Sequence, residues 1–246
     1  MIPLQALSLL AWISLAPSVS FAQPAVPLEP PGAPASAFPA PDRPVAEIIS
    51  PIWATEEQRD AVDESGQIVR RLGLKPGMTV ADIGAGSGYH TVRLARALGP
   101  SGRVIAQDVM PNYLADLQQR VRGEGLGNVT VALGDPHDPR LPAGSVEVAL
   151  MVHMYHEIEQ PFGLLYNLVP ALKPNARVAI VDLNRVTWEH GTPKDLLRCE
   201  LAAAGYEQES LVELAGDIGY LAVFKPPTEA SRVRPEAMKP CRMQKP

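Results

Sequence analysis

The sequence predicts an α/β fold in which helices cover both faces of a mostly parallel β-sheet. Short apolar runs alternate with helical segments along most of the chain, a pattern typical of a parallel sheet. The last two apolar runs, near residues 206–214 and 220–224, are close enough to pair as an antiparallel hairpin at a sheet edge. The 246 residues suffice for one such domain with flanking segments.

The regular elements begin with a helix over residues 55–72. Thr55 is a suitable N-cap, and Glu56 and Glu57 place negative charge in the first turn, where the helix dipole favours it. Gly73 ends the helix. The strands that follow are predicted over residues 79–83, 103–108, 129–133, 145–152 and 177–183. The helices among them and after them are predicted over residues 89–98, 112–122, 162–172 and 193–204.

The first 22 residues have the character of a signal peptide. An apolar run from Leu4 to Val19 is followed by Ser20-Phe21-Ala22, a small-x-small pattern that suits cleavage after Ala22, although no Lys or Arg precedes the run. We therefore expect an exported, periplasmic protein without stable membrane insertion after cleavage. The alternatives are an uncleaved membrane anchor at residues 2–22 and a disordered cytoplasmic arm.

The predicted domain spans residues 52–225, and the segments on either side of it lack apolar periodicity. Residues 23–51 contain nine prolines and predict an extended linker that holds the domain away from its surroundings. Residues 226–246 predict a disordered tail. A disulfide between Cys199 and Cys241 is possible but not expected, and without a Cys/His cluster a structural zinc site is unfavourable.

The charge balance argues against a nucleic-acid partner. The net charge is −5, and only 5% of the residues are aromatic, so the sequence offers no basic stripe interleaved with stacking side chains. The oligomeric state is not predicted by any feature of the sequence.

A glycine-rich turn lies between the first strand and its helix, in the run Val80-Ala81-Asp82-Ile83-Gly84-Ala85-Gly86-Ser87-Gly88. Glycines there permit close approach of a ligand to the backbone at the end of a strand. The dinucleotide pattern G-x-G-x-x-G would need glycine where Tyr89 stands. Asp82 would repel a pyrophosphate but suits a ligand that carries an ammonium and a sulfonium. Both details favour a sulfonium cofactor over NAD.

Asp108 is the acidic partner of this turn. It ends the second strand, 20 residues after Gly88, which is the spacing at which a carboxylate reaches both ribose hydroxyls of a bound nucleoside. The alternative interpretation is a solvated Asp at the end of a strand.

These segments resemble the first two motifs of class I S-adenosylmethionine-dependent methyltransferases. Gly134-Asp135-Pro136 resembles the acidic position of that family that contacts adenine. Residues 141–149 and 171–177 resemble its fourth strand and the turn before its fifth, with Asn175-Ala176 in place of glycines. The resemblance spans about residues 55–225. It implies a Rossmann-like seven-stranded mixed sheet of order 3-2-1-4-5-7-6, S-adenosyl-L-methionine as cofactor, and a cofactor site at Asp82, Gly84, Gly86, Gly88, Asp108 and Asp135.

The residues after the fourth strand are the candidates for catalysis. His153 and His156 could accept a proton from the methyl acceptor, and the hydroxyl of Tyr155 could position the acceptor. In the alternative interpretation, His156 and Glu157 start a helix and His153 is a wall residue. We expect no metal site. One could form only if residues scattered over several loops converged, namely Asp135, His137, Asp138, His153, His156 and Asp182.

The sequence therefore predicts a methyltransferase that acts on a small molecule. Export raises a second hypothesis, since S-adenosylmethionine is made in the cytoplasm: a non-catalytic binding or scaffold protein with a methyltransferase fold. A nicotinamide-dependent oxidoreductase is disfavoured by Tyr89.

Overall fold

The computed structural model describes residues 23–48 and 55–242. Seven strands form one sheet of order β3-β2-β1-β4-β5-β7-β6. The strands are β1 Thr79–Ile83, β2 Arg103–Asp108, β3 Val129–Leu133, β4 Val146–Val152, β5 Leu172–Asp182, β6 Glu207–Glu213 and β7 Tyr220–Lys225. The first five pair in parallel, and β7 pairs antiparallel with both β5 and β6. The predicted fold class and strand order are confirmed.

Six α-helices accompany the sheet: α1 Glu56–Ala61, α2 Glu64–Leu72, α3 Tyr89–Leu98, α4 Pro111–Gly123, α5 Pro161–Leu168 and α6 Lys194–Ala203. They lie on both faces because successive strand residues point to opposite sides. Val80 of β1 belongs to a buried cluster with Leu94 of α3. Its neighbour Ala81 belongs to a second cluster with Leu165 of α5 and Leu201 of α6.

The first predicted helix is broken in two. Thr55 caps α1 by accepting a hydrogen bond from the Gln58 backbone N–H, as its position predicts. Asp63 then adopts a left-handed conformation (φ 51°), which interrupts the helix before α2 begins. Aspartate tolerates this conformation better than most side chains do. The break sets α1 at an angle from which it can contact α3.

The N-terminal segment, residues 23–48, does not behave as a free linker. Its backbone is irregular apart from a 3-10 turn at Ala35–Ala37, as the prolines predict. However, the Gly32 N–H donates to the carboxylate of Asp138 (2.7 Å), and the Ala33 N–H donates to the side chain of Asn167 (2.9 Å). The linker prediction is wrong for these residues because polar side chains of the domain satisfy the backbone donors of the segment.

A buried ion pair fixes the same segment near its C-terminal end. Arg43 Nε donates to Glu200 Oε1 of α6 at 2.9 Å, and both side chains are fully buried. The guanidinium also donates to the backbone oxygens of Tyr155, His156 and Ile158. The N-terminal segment is thus fastened to the loop that follows β4.

The C-terminal segment, residues 226–242, is also ordered against the domain, contrary to the predicted disordered tail. Cys241 is buried and forms a disulfide with Cys199 of α6. The sequence separation is 42, and closing a loop of this size stabilises a fold by about 4 kcal/mol in the chain-entropy model. The pairing that the sequence left open is present.

Several predictions concern residues 1–22, 49–54 and 243–246, which lie outside the described residues. They include the signal peptide, its cleavage after Ala22, the alternative anchor and the start of the domain at residue 52. Among the residues that are described, no helix is long and apolar enough to span a bilayer.

Candidate active site

A cavity of about 670 Å³ opens at the carboxyl ends of β1, β2 and β4. This is the edge at which ligands bind in open α/β sheets, because strand order reverses there on either side of β1. Asp82, Gly86 and Asp108 line one end of it, and His153 and His156 line the other. Its volume suits a ligand of small-molecule size.

The glycine turn forms the floor of the first end. Gly84 and Gly86 both have positive φ (72° and 53°), a conformation that side chains with Cβ rarely adopt. A Cβ on Gly84 would lie 2.8 Å from Met154 Cγ, so the turn also approaches the loop after β4 closely. Gly88 does not line the cavity. It is the N-cap of α3, where a Cβ would overlap the Leu117 side chain, so its role is packing.

Asp108 holds the glycine turn from the neighbouring strand. One carboxylate oxygen accepts the N–H of Gly86 at 2.8 Å, and the other accepts the N–H of Met110 at 2.9 Å. Burial raises the pKa of this carboxyl, although the backbone donors partly offset the effect. Each oxygen retains acceptor capacity, so the carboxylate can also take the hydroxyls of a ribose.

Asp82 places a second buried carboxylate in the cavity. It is 3% exposed and accepts a hydrogen bond from the Thr91 hydroxyl at 2.6 Å. Burial raises its pKa to about 6. A cationic ligand would restore the ionised form, because an opposite charge offsets desolvation. Asp135 also lines the cavity and lies 3.5 Å from Arg140, so the predicted cofactor residues other than Gly88 share one cavity.

His156 is the best positioned of the predicted catalytic residues. Its ring is 1% exposed, and Nδ1 lies 3.1 Å from both carboxylate oxygens of Asp182. Asp182 is itself fixed by the Leu183 N–H (2.8 Å) and the Thr192 hydroxyl (2.7 Å). Because a carboxylate only accepts hydrogen bonds, this contact places a proton on Nδ1, and in the neutral imidazole Nε2 is then an acceptor.

His153 and Tyr155 differ in position. His153 lines the cavity in a left-handed conformation (φ 53°), with Nε2 3.3 Å from Glu64 Oε1. Tyr155 is fully buried in the core beneath Arg43 and is not part of the cavity wall. The prediction that Tyr155 positions the acceptor is wrong because a 3-10 turn at Tyr155–Glu157 rotates its side chain into the core.

A buried charged cluster beside the cavity was not predicted. Arg59 of α1 forms a two-pronged ion pair with Glu64 (2.7 and 2.9 Å), and its guanidinium stacks on the ring of Tyr89. Burial lowers the pKa of the adjacent His90 to about 4. Burial alone would raise the pKa of Glu64, but hydrogen bonds from Arg59, His153 and His90 hold this pKa well below its usual value. The cluster fixes α1 over the cavity.

The scattered metal ligands considered from the sequence do not converge as a set. Asp138, for example, accepts backbone N–H groups of Gly32 and Arg140. Within the described ranges, a different trio brings its ligand atoms together: His156, Glu157 and His190. His190 was missed because it lies in an irregular loop after β5, where no sequence pattern singles it out.

Comparison with known proteins shows which family this sheet and its cavity are similar to. Residues 80–175 match the family model described as a methyltransferase domain. The matched stretch begins in β1 and includes the glycine turn, Asp108 and the loop after β4.

Individual relatives of this chain are named for dissimilar acceptors. An arsenite methyltransferase of Halobacterium salinarum is 31% identical over 113 residues, which are 45% of this chain and 28% of that protein. The tRNA (adenine(58)-N(1))-methyltransferase TrmI of Thermus thermophilus is 32% identical over 125 residues, 50% of this chain and 47% of that protein. The chain spans less than two thirds of the length of either relative.

Among solved structures, a SAM dependent methyltransferase from Aquifex aeolicus superimposes with a TM-score of 0.57 and 25% identity. The match covers 68% of this chain and 95% of that one. These findings support the class I S-adenosylmethionine-dependent methyltransferase family, whose cofactor is S-adenosylmethionine. The relatives leave the acceptor open.

Proposed function

We propose that this protein transfers the methyl group of S-adenosylmethionine to a small-molecule acceptor. One observation carries the proposal: a single cavity joins Asp82 and Asp108 at one end to the Asp182-held His156 at the other. In this proposal, Asp108 accepts the ribose hydroxyls, and Asp82 faces the ammonium group. The opposite end then holds the acceptor, which His156 activates.

Methyl transfer requires mainly that the methyl donor and the acceptor are aligned. A lone pair of the acceptor forms the new bond to the methyl carbon while the carbon–sulfur bond breaks and its electron pair stays on sulfur. The products are the methylated acceptor and S-adenosylhomocysteine. An acceptor hydroxyl, thiol or amine also releases one proton, and an acceptor-activating group beside it promotes that release.

The wall of the acceptor end supports a small, uncharged or cationic acceptor. Residues 45–48 of the N-terminal segment line the cavity, and the Ala46 N–H donates to the His156 backbone oxygen at 3.1 Å. The acidic side chains of Glu47, Glu157 and Glu159 contribute to the same wall. A phosphate backbone would meet unfavourable charge there, so a nucleic-acid acceptor is disfavoured.

Binding and transfer can be measured separately. Calorimetry should show S-adenosylhomocysteine binding to the purified protein and no binding of NAD. Transfer of labelled methyl from S-adenosylmethionine to pools of phenols, thiols, amines and tRNA should label a small molecule and leave tRNA unlabelled. Labelling of tRNA alone would contradict the small-molecule proposal, and binding without any transfer would favour the scaffold hypothesis.

We also propose that the protein is exported. Residues 1–22 have a signal-peptide pattern, and disulfides such as Cys199–Cys241 persist mainly in oxidising compartments. A reporter enzyme that is active only outside the cytoplasm, fused after residue 30, should be active. An inactive but expressed fusion would overturn export.

A further inference from the structure

Three side chains from two loops meet at the acceptor end of the cavity. His156 and Glu157 follow β4, and His190 lies in the loop after β5. One ligand atom of each lies within 4.8 Å of the others, and all three residues line the cavity. The loops meet because β4 and β5 are parallel neighbours, whose carboxyl ends lie at the same edge of the sheet.

His156 is oriented as a metal ligand would be. The carboxylate of Asp182 holds Nδ1, and the other ring nitrogen, Nε2, lies 3.9 Å from Glu157 Oε1. Metal-binding histidines usually donate their second ring N–H to a carboxylate in this manner. Two ligand atoms on one tetrahedral ion lie about 3.4 Å apart, so only a small shift of the Glu157 side chain is needed.

His190 is held beside His156 in an unfavourable state. It has a left-handed backbone (φ 57°), and its ring meets the His156 ring edge-on at 5.5 Å. Its Nδ1 is buried and has no hydrogen-bond partner among residues 23–48 and 55–242. A buried unpaired nitrogen and a strained backbone are features that a bound ligand would offset.

The charges around the trio favour a cation. Asp182 is fully buried, and Glu47 and Glu159 line the cavity nearby. Arg43 lies behind the loop, but its guanidinium is directed to Glu200 and to backbone oxygens. Arg59 also lines the cavity, but its guanidinium is paired with Glu64. A cation between the imidazoles would therefore interact mainly with carboxylates.

We propose that His156, His190 and Glu157 bind one divalent transition-metal ion, of the class that includes Zn²⁺, Co²⁺ and Fe²⁺. Two imidazoles and one carboxylate form the ligand set of catalytic sites that keep further positions open. The proposal rests on the proposed function, because the open positions face the acceptor end. There the ion would bind an acceptor oxygen or sulfur, whose proton leaves to water before the lone pair attacks the methyl carbon. This differs from the expectation of no metal site, which considered scattered residues without His190.

Metal binding can be tested without any acceptor. The full-length protein, freed of metal by a chelator, is titrated with Zn²⁺ in a calorimeter and with Co²⁺ by visible absorption. We expect one equivalent per chain and the ligand-field bands of a low-symmetry Co²⁺ site. His190→Ala and Glu157→Gln should each weaken binding by about 100-fold or more, and Asp182→Asn by about 10- to 100-fold. No stoichiometric binding by the parent protein would overturn the proposal.

Matched controls separate this site from others on the surface. His137→Ala and Glu189→Gln change the same residue types outside the trio and should leave Zn²⁺ affinity unchanged. Equal losses in these controls, or unchanged affinity in both His190→Ala and Glu157→Gln, would contradict the assignment. S-adenosylhomocysteine affinity and thermal unfolding are measured on every variant. If the parent protein binds S-adenosylhomocysteine but no metal, only the metal proposal is refuted. If the parent protein does not bind S-adenosylhomocysteine, the proposed function is refuted.

Discussion

The two ends of the cavity are built from different kinds of interaction. At the cofactor end, Asp82, the glycine turn and Asp108 come from one stretch of chain, and backbone N–H groups of Gly86 and Met110 fix the carboxylate of Asp108. At the acceptor end, side chains from distant segments hold one another, as His156 is held by Asp182 and Arg43 by Glu200. The first arrangement is local and general to a fold, whereas the second depends on the whole tertiary structure and can differ between relatives. Changes at each end should therefore have separable effects.

The largest effect is expected from Arg43→Ala. It leaves Glu200 buried without its partner, and breaking such a pair costs about 3–5 kcal/mol. Denaturant unfolding should show this loss in the free energy of unfolding, while S-adenosylhomocysteine affinity changes less than about threefold, because Arg43 does not line the cavity. Arg122→Ala, on the exposed side of α4, serves as the control. A parallel loss of cofactor affinity would show that the two ends are not separable.

Next in size is removal of the disulfide. The double variant Cys199→Ser with Cys241→Ser should lower the free energy of unfolding by about 4 kcal/mol, because its unfolded chain is no longer cross-linked. Cys199 adjoins Glu200 on α6, so the loss should also loosen the N-terminal segment, as limited proteolysis would report. The parent protein treated with a reductant should match the variant. Equal stability of oxidised and reduced protein would contradict this role.

Asp108→Ala tests the cofactor end. It removes an acceptor for the ribose and releases the Gly86 N–H, so S-adenosylhomocysteine should bind about 10- to 100-fold more weakly. Calorimetry provides the measurement, and Asp116→Ala, exposed on α4, is the matched control. Unchanged affinity would remove the assignment of Asp108 to the ribose.

The smallest predicted effect is the pH dependence set by Asp82. Because its pKa is raised to about 6, most of the carboxylate is protonated at pH 5, and its attraction for an ammonium group is lost. S-adenosylhomocysteine should bind about tenfold more weakly at pH 5 than at pH 7. Asp82→Asn should flatten this profile, and a flat profile in the parent protein would contradict the prediction. The pH dependence of folding stability runs in the opposite direction to that of binding. Because the pKa of Asp82 is raised in the unliganded fold, the contribution of this group to the free energy of unfolding is lost as pH rises through about 4 to 6.

The contrast between the two ends also explains what the sequence predicted well. Asp82, the glycine turn and Asp108 lie within 27 residues, and their geometry follows from a strand, a turn and the next strand. The strand order came from a resemblance to a known family and was confirmed in full. Local rules therefore sufficed to predict that these residues lie together, and their role in cofactor binding stays a prediction.

Predicting the acceptor end would have required knowledge of the tertiary structure, which local sequence patterns do not contain. Tyr155 was misplaced because a single 3-10 turn decides which of three adjacent side chains enters the core. Arg59 and His190 were missed since one lies on a polar helix and the other in an irregular loop. The prolines of residues 23–48 predicted the absence of regular structure but not the surface on which the segment lies.

The position of the N-terminal segment has a consequence for where this protein is considered to begin. A chain trimmed to start at Thr55 would retain all seven strands and every residue of the family match. It would nevertheless lose residues 45–48 from the wall around the methyl acceptor, together with Arg43, which anchors them. On the proposed function, acceptor choice can therefore depend on a proline-rich stretch that lies outside residues 80–175, the part matched by the family model. The functional unit is longer than the fold.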